Sequence, residues 1–414
     1  MDQTLDDMLK GLSAIAIEGA KGVGKTALST QRAQTVMSLD DPFTAQNVRD
    51  NPDLVLSGSR PTFIDEWQLV PSVWDVVRHA VDNGAPAASF LLAGSAMPPA
   101  GARLHSGAGR IVRAMLRPLT IPERGIEKPT VSLAELLAGG QPAVGGRSKV
   151  TSSDYVDEIL ATGFPGIRGN QSSEYLVASY LDRIVDHDIP ESGGSVRRPT
   201  AVRNWLAAYA AATATTASYT TILDAATPGE GTKPNQQTAA AYRELLQRIW
   251  VLDPLPAWEP GFSHLERLSL APKHHLVDPG LAAALVGATR ESLIRGEGPA
   301  MAPRDGTFLG ALFESLAVQT IRVLAELYGA RAAHMRVRGG DHEVDVILQR
   351  RDFKVLAIEV KFSSVVRPAD VRHLNWLQQK LPDQVLDKVL INTSSFALRR
   401  PDGVVVVPLA LLGL

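Results

Sequence analysis

The chain has 414 residues, of which 45% are hydrophobic, and its formal net charge at pH 7 is -2. This length predicts two or three domains with buried cores, and the near-neutral charge argues against a protein that coats nucleic acid along its whole length. There are no cysteines, which excludes disulfides and thiolate metal sites.

A glycine-rich segment follows the first apolar run. Residues 19–26 read Gly-Ala-Lys-Gly-Val-Gly-Lys-Thr, which matches G-x-x-x-x-G-K-[ST], and a helix is predicted over 27–36. The backbone N–H groups expected to surround a β-phosphate belong to Gly19, Ala20, Lys21, Gly22, Val23 and Gly24. Lys25 is expected to reach the β and γ oxygens, and the Thr26 hydroxyl to ligate Mg²⁺. The segment therefore predicts an ATP-binding loop of a nucleotide hydrolase.

An acidic pair follows a second apolar run. Asp65 lies 40 positions after Lys25, at the end of Pro-Thr-Phe-Ile-Asp-Glu, and a helix is predicted behind it over 72–81. This pattern is typical of a strand that ends in a phosphate site. We expect Asp65 to bind magnesium through water and Glu66 to orient or activate the attacking water.

A third predicted strand, 89–93, runs into Gly94 and Ser95. Parallel strands present their carboxyl ends to ligands, so Ser95 is a candidate sensor of the γ-phosphate or the lytic water, although a serine that caps the next turn fits the spacing nearly as well. Residues 103–128 are locally basic. From them we single out Arg110 as a candidate arginine finger, toward a nucleotide in its own subunit or in a neighbour's.

The order of these motifs resembles the prokaryotic AAA-type ATPases that carry a central domain of unknown function. The resemblance continues in Thr-Gly-Phe-Pro at 162–165 and in the segment 180–189, which runs from Tyr-Leu to Asp-Ile. It departs from the family at 20–22, where members often have Pro-Arg-Gln, and at His187, where arginine is usual. AAA-type sites often lie between subunits, so the resemblance implies a homo-oligomer, either a ring or a dimer.

The middle of the chain is predicted to be helical. Residues 141–153 are polar and Gly-rich and predict a linker between an ATPase domain at 1–140 and a middle domain at 154–290. The order helix, loop, helix and apolar strand at 249–252 is typical of a winged helix-turn-helix, with 235–243 as the helix that would enter a DNA groove. Few basic residues surround that helix, so holding domains together is the alternative role.

A second polar constellation lies in the predicted C-terminal domain, 300–414. Residues 343–348 and 355–361 predict a β-hairpin, in which Glu359 and Lys361 share a face and Asp345 meets them across the strand pair. Two carboxylates hold Mg²⁺ or Mn²⁺, and a lysine orients or deprotonates water.

Glu314, on a predicted helix over 310–327, is expected to complete this metal site. With Glu359 and Lys361 fourteen and sixteen residues after Asp345, the arrangement resembles the PD-(D/E)xK nuclease superfamily, with Val344 in place of proline. The alternatives are a surface hairpin with an incidental ion pair, or a nuclease-like fold that serves as a docking domain.

The expected fold class is α/β: a P-loop parallel-sheet ATPase domain, a middle helical and winged-helix region, and a C-terminal mixed α/β restriction-endonuclease-like domain. The favoured function is a Mg²⁺-dependent ATPase coupled to a metal-dependent nuclease or nucleic-acid-binding domain acting on DNA or RNA. One alternative is a regulatory ATPase with a non-cleaving docking domain, and another is a phosphotransferase whose arginines after Ser95 clamp an acceptor. Without an apolar run judged long enough to cross a bilayer, or the basic start of a signal peptide, we expect no membrane and a cytoplasmic location.

Overall fold

The fold is known from a computed structural model that describes residues 2–94, 107–191, 198–227, 236–259, 270–297, 307–337 and 339–414. The strands in these ranges are β1 Ala14–Glu18, β2 Thr35–Ser38, β3 Thr62–Asp65, β4 Phe90–Gly94, β5 Ile111–Met115, β6 Val131–Ser132, β7 Gly146–Arg147, β8 Arg331–Arg336, β9 Glu343–Gln349, β10 Val355–Val360, β11 Val385–Asn392, β12 Phe396–Arg399, β13 Val405–Pro408 and β14 Leu412–Gly413. The helices are α1 Asp2–Leu9, α2 Lys25–Thr30, α3 Pro42–Asp50, α4 Ser72–Asp82, α5 Ile121–Arg124, α6 Leu133–Ala138, α7 Ser152–Leu160, α8 Ser173–Arg183, α9 Ile189–Glu191, α10 Pro199–Ala211, α11 Tyr219–Ala225, α12 Gln236–Arg248, α13 Pro279–Leu285, α14 Arg290–Ile294, α15 Phe308–Leu327 and α16 Arg372–Lys380.

The N-terminal sheet has five parallel strands in the order β2-β3-β4-β1-β5. Its central strand β4 is buried throughout, as expected for a parallel strand covered on both faces. Glu18 pairs with Gly94, and Asp65 pairs with Ala93. The loop after β1 and the acidic end of β3 therefore meet at the carboxyl edge of one sheet.

The helix after the glycine-rich loop is shorter than the predicted 27–36. Helix α2 ends at Thr30, and Thr35–Ser38 instead form the edge strand β2, which pairs with β3. Two β-branched residues, Thr35 and Val36, begin this segment, and such residues favour a pleated strand over a helix.

The middle of the chain is helical from α7 to α14, but the apolar strand predicted at 249–252 is not formed. Trp250 has a left-handed backbone with φ 62°, which interrupts an extended segment. Among the described residues only isolated bridges follow, and they join Leu252 to Leu276, Leu255 to Lys273 and Ala257 to His334. The predicted groove-entering helix lies within α12, except for Asn235, which is outside the described residues.

The C-terminal sheet is mixed, with seven strands in the order β7-β12-β13-β11-β10-β9-β8. The predicted hairpin is present as the antiparallel pair of β9 and β10. The predicted linker, 141–153, is wrong in part, because its residues Gly146–Arg147 form β7 and pair with β12. Strand β6 likewise pairs in parallel with β14, so two segments upstream of the middle region pair with strands near the end of the chain.

Helix α15 corrects the expectation that no apolar run is long enough to cross a bilayer. Among the described residues it is the one helix long and apolar enough to do so. Most of its residues are buried inside the protein, which is the environment of a core helix.

Candidate functional site

The loop between β1 and α2 depends on glycine at specific positions. A Cβ at Gly19 would lie 2.3 Å from the Leu116 carbonyl oxygen, and Gly24 has φ 101°, in the left-handed region. Gly19 has no Cβ to clash with that oxygen, and glycine adopts the left-handed backbone at Gly24 without strain. The tight turn that results leads directly into the first residue of α2, Lys25.

The Lys25 ammonium is buried against its own loop. Its Nζ donates to the carbonyl oxygens of Gly19 at 2.8 Å and of Ala20 at 2.9 Å. Burial lowers the pKa of Lys25 to about 8, while the charges of Glu66 and Asp65 oppose that shift. The side chain is therefore mainly cationic at pH 7 and lies at the loop that is expected to surround a phosphate.

Thr26 and Asp65 are in direct contact. The Thr26 hydroxyl donates to Asp65 Oδ2 at 2.7 Å, across 39 residues of sequence. Burial raises the pKa of Asp65, and the hydrogen bond from Thr26 works against that rise. A hydroxyl and a carboxylate oxygen are ligands that Mg²⁺ accepts beside phosphate and water oxygens, so these two residues fit the expected metal.

Glu66 has a strained backbone next to this pair. Its φ of 50° and ψ of 42° are left-handed, a conformation that costs a non-glycine residue about 1 kcal/mol or more. The Gln68 amide donates to the Glu66 carboxylate. A Cβ at Gly94 would lie 2.6 Å from Gln68 Oε1, so the glycine at the end of β4 leaves room for Gln68. Gln68 was assigned no role from the sequence.

The middle region covers the glycine-rich loop, which the sequence did not indicate. Lys21 Nζ lies 2.7 Å from both Asp188 Oδ1 and Glu191 Oε2. Burial alone would lower the pKa of Lys21, but the hydrogen bonds to these two carboxylates outweigh burial and raise the pKa above its usual value. The Tyr180 hydroxyl donates to the Lys21 carbonyl oxygen at 3.1 Å. Residues from 180–191 therefore contact both the side chain and the backbone of Lys21.

The Thr-Gly-Phe-Pro segment at 162–165 packs on the same loop. A Cβ at Gly22 would lie 3.7 Å from Phe164 Cδ1, and a Cβ at Gly24 would lie 3.7 Å from Pro165 Cγ. The Phe164 and Tyr180 rings are in contact, with centroids 4.9 Å apart. The two middle-region motifs thus form one surface against the loop.

Two predicted site residues do not join this cluster. Ser95 lies outside the described residues. Arg110 precedes β5, whose first residue, Ile111, pairs with Ala14 at the start of β1, so Arg110 lies at the opposite edge of the sheet from the loop. Its Nε donates to Asp82 at 2.7 Å. The prediction of a finger toward a nucleotide in its own subunit is therefore wrong, and a role toward a neighbour's nucleotide stays a prediction.

The predicted C-terminal residues do come together, around a cavity of about 720 Å³ lined by Glu314, Asp345, Glu359 and Lys361. Lys361 Nζ lies 3.2 Å from Glu359 Oε2 and 3.9 Å from Asp345 Oδ2. The Val360 backbone N–H also donates to Asp345 Oδ2, at 2.9 Å. This is the geometry that the hairpin register predicts for side chains on one face.

A lysine that the sequence did not single out lies among these carboxylates. Lys273 Nζ is 2.9 Å from each of Glu314 Oε1, Glu343 Oε1 and Asp345 Oδ1. Within the described part of the chain, no group of three or more His, Cys, Asp and Glu side chains is arranged to hold a metal ion. The Lys273 ammonium contacts Glu314 and Asp345, two of the three carboxylates expected to hold a divalent cation with Glu359, so a metal bound by these residues would have to displace it.

The carboxylates of this cluster differ strongly in proton affinity. Burial raises the pKa of Glu359 well above its usual value, and it raises that of Glu314 to about 8. Burial also opposes ionisation of Asp345, yet the charges of Lys273 and Lys361 hold the pKa of Asp345 far below its usual value. Among Glu314, Asp345 and Glu359, Asp345 is thus the carboxyl group whose ionised form the two lysines stabilise most.

Comparison with known families agrees with the N-terminal geometry. Residues 12–124 match the model of an AAA domain, and two domains of unknown function, DUF8612 and DUF4143, match residues 152–292 and 309–412. With its parallel sheet, glycine-rich loop and acidic strand end, the N-terminal region has the fold and motifs of the AAA-type P-loop domain that its family match indicates.

Curated relatives include uncharacterized proteins of Mycobacterium bovis and Mycobacterium tuberculosis, each 27% identical over 281 residues. The alignment covers 66% of this chain and 56% of each relative, so the chain spans about half the length of those proteins. Similar solved structures include the Walker-type ATPase of Pyrococcus abyssi, with a TM-score of 0.41 and 14% identity over 69% of this chain and 94% of that one. Another is the ORC2 protein of Aeropyrum pernix, with a TM-score of 0.25 and 13% identity over 61% of this chain and 85% of that one.

Proposed function

We propose that this protein is a magnesium-dependent ATPase that works as a switch, with its middle region responding to the nucleotide. The observation that carries the proposal is the 2.7 Å hydrogen bond from Thr26 to Asp65, which joins the loop to the acidic strand end. A loop of inward N–H groups at a helix start favours phosphate, and the two oxygens beside it favour a hard cation.

Each residue of this site has a distinct task. Lys25 supplies a cation to the β and γ oxygens, and Thr26 and Asp65 hold Mg²⁺, which when bound neutralises charge on the phosphates. Glu66, held by Gln68, orients the attacking water and accepts its proton. The strain at Glu66 supports this assignment, because left-handed non-glycine residues cluster at functional sites.

The switch part of the proposal rests on contacts between the loop and the middle region. Lys21 is held by Asp188, Glu191 and Tyr180, while Phe164 and Pro165 lie against Gly22 and Gly24. A loop that closes on a triphosphate changes its own backbone, and these contacts pass the change to the middle region. Such a local change moves a domain only if the domain packs well in both positions, the one before the loop closes and the one after.

A metal-dependent nuclease is the second candidate, favoured by the shared cavity of Asp345, Glu359 and Lys361. Against it, Lys273 lies among the carboxylates that would hold the metal. We therefore propose that the C-terminal region keeps a nuclease-like cavity as a docking domain for a partner or nucleic acid and does not cut.

ATP hydrolysis is tested by phosphate release from the full chain with Mg²⁺. Lys25→Ala should abolish release by removing the phosphate-facing cation, and Lys10→Ala, at an exposed lysine paired with Asp7, should leave it unchanged. Unaltered hydrolysis by Lys25→Ala would refute the proposed site. With γ-labelled ATP, free phosphate supports hydrolysis, whereas a labelled product supports the phosphotransferase alternative.

Cleavage is tested separately on plasmid DNA and on single-stranded RNA, with Mg²⁺ or Mn²⁺ and with or without ATP. The docking proposal expects no cleavage that depends on Lys361. Cleavage by the intact chain that disappears in Lys361→Ala, with ATP hydrolysis retained, would establish the nuclease instead.

A further inference from the structure

Lys273 is one of the most deeply buried charged residues of the described chain, with 1% of its side chain exposed. It belongs to the segment between α12 and α13, where Leu255 and Lys273 form an isolated bridge. A buried ammonium group must be paired, and its three N–H groups can each serve one oxygen. Lys273 Nζ lies 2.9 Å from three carboxylate oxygens, and it donates hydrogen bonds to two of them, Glu314 Oε1 and Asp345 Oδ1.

The three carboxyl groups come from two elements of the fold. Glu314 lies on α15, while Glu343 and Asp345 lie two positions apart on one face of β9. Each lies 2.9 Å from Lys273 Nζ, so the ammonium is at the centre of the group. A divalent ion bonded to the same oxygens at about 2.0–2.6 Å would need that same central position.

We infer that Lys273 is a built-in cation in the position of a divalent metal, so that the intact chain excludes Mg²⁺ and Mn²⁺ from this cluster and loss of the ammonium group creates a metal site. Two cations within about 4 Å of each other repel strongly even in a polarisable interior. The lysine is tethered to the chain and cannot be exchanged away by dissolved ions. Without it, Glu314 and Asp345 keep buried oxygens that attract a hard cation.

Manganese binding to the full chain tests this inference. The reference protein carries Asp65→Asn, which removes the carboxylate proposed to hold metal at the nucleotide site, and the probe is Mn²⁺ alone, followed by electron paramagnetic resonance and thermal unfolding. The reference should bind no Mn²⁺ at this cluster. Adding Lys273→Ala should create one Mn²⁺ site per chain and make Mn²⁺ raise the Tm, and adding Asp345→Asn as well should abolish both effects.

Two controls keep the result specific. Lys149→Ala, at an exposed lysine, should bind no more Mn²⁺ than the reference. Lys273→Met, which keeps a long side chain without the charge, provides a second folded variant. The inference is overturned if a folded Lys273 variant gains no Mn²⁺ site, or if the reference itself binds Mn²⁺ in a manner that Asp345→Asn removes. If both Lys273 variants stay unfolded with and without Mn²⁺, the test is the comparison of the reference with its Asp345→Asn form. Mn²⁺ binding that depends on Asp345 overturns the inference, and the absence of Mn²⁺ binding in both proteins supports it.

Discussion

Lys21 in the glycine-rich loop and Asp188 in the middle region form an ion pair at 2.7 Å, although 167 residues separate them in sequence. Asp188 is almost buried, whereas Lys21 retains about a third of its exposure. The pair therefore ties the loop to a part of the chain that has no position in the N-terminal sheet.

A double-mutant cycle should detect this tie. Lys21→Met, Asp188→Asn and the double variant should give a coupling of about 1 kcal/mol in the free energy of unfolding, because the pair is partly buried. Urea denaturation measures it. The exposed pair of Lys10 and Asp7 should give a coupling near zero. Equal coupling for the two pairs would contradict the role given to Lys21.

Glu66→Gln should spare nucleotide binding and slow hydrolysis by about a hundredfold or more, because the amide keeps the shape but cannot accept a proton from water. Fluorescent nucleotide titration and phosphate release measure the two effects. Glu174→Gln, at an exposed glutamate of α8, is the matched control. Normal turnover by Glu66→Gln would mean that another group activates the water.

Gly94→Ala should lower hydrolysis more than it weakens ATP binding. The new Cβ would lie 2.6 Å from Gln68 Oε1 and 3.1 Å from Trp67 Nε1, so the Gln68 side chain must shift, and we expect this to disturb its hydrogen bond to Glu66. Comparison of kcat with the nucleotide Kd checks this. Gly11→Ala meets no atom within 4 Å and should change neither quantity. A Gly94→Ala protein with unchanged kcat would remove Gln68 from the site.

Buried histidines should make the fold sensitive to acid. Burial lowers the pKa of His334 from 6.5 to about 4, and the nearby charge of Lys273 adds to the shift. Between these values the unfolded chain binds the proton more readily than the folded chain, so stability is complete above pH 6.5 and is lost as the pH falls toward 4. The loss attributable to this group is about 3 kcal/mol.

His334→Gln should reduce that loss, since the amide can still donate to the Ala271 carbonyl oxygen that His334 Nε2 contacts. Urea midpoints at pH 7 and pH 5 give the measurement, with the exposed His79→Gln as control. Part of the acid sensitivity should persist, because burial also lowers the pKa values of His274 and His275. An unchanged difference between the two pH values would contradict the prediction.

The features readable from sequence were those encoded by neighbouring residues. The glycine-rich loop, the acidic end of β3 and the hairpin of β9 and β10 each lie in one short segment whose pattern specifies its backbone. The proximity of Thr26 and Asp65 was also readable, because parallel strands bring their carboxyl ends to one edge, but their direct hydrogen bond was not predicted.

The features missed depend on contacts between distant segments. Lys273 meets Glu314 and Asp345 across 41 and 72 residues, and no periodicity connects the three. The role of Arg110 in its own subunit was wrong because its motif does not reveal that it precedes β5 instead of following it. Strand β7 is only two residues long and contains a glycine, so it carries no alternating pattern.

The pairing of β7 with β12 and of β6 with β14 determines which recombinant fragments of this protein can fold. A recombinant piece beginning near residue 300 would lack both upstream partners and leave the edge of β12 open to pairing with other molecules, which promotes aggregation. A soluble C-terminal piece therefore requires residues 126–150 as well, added as a separate peptide or rejoined by circular permutation.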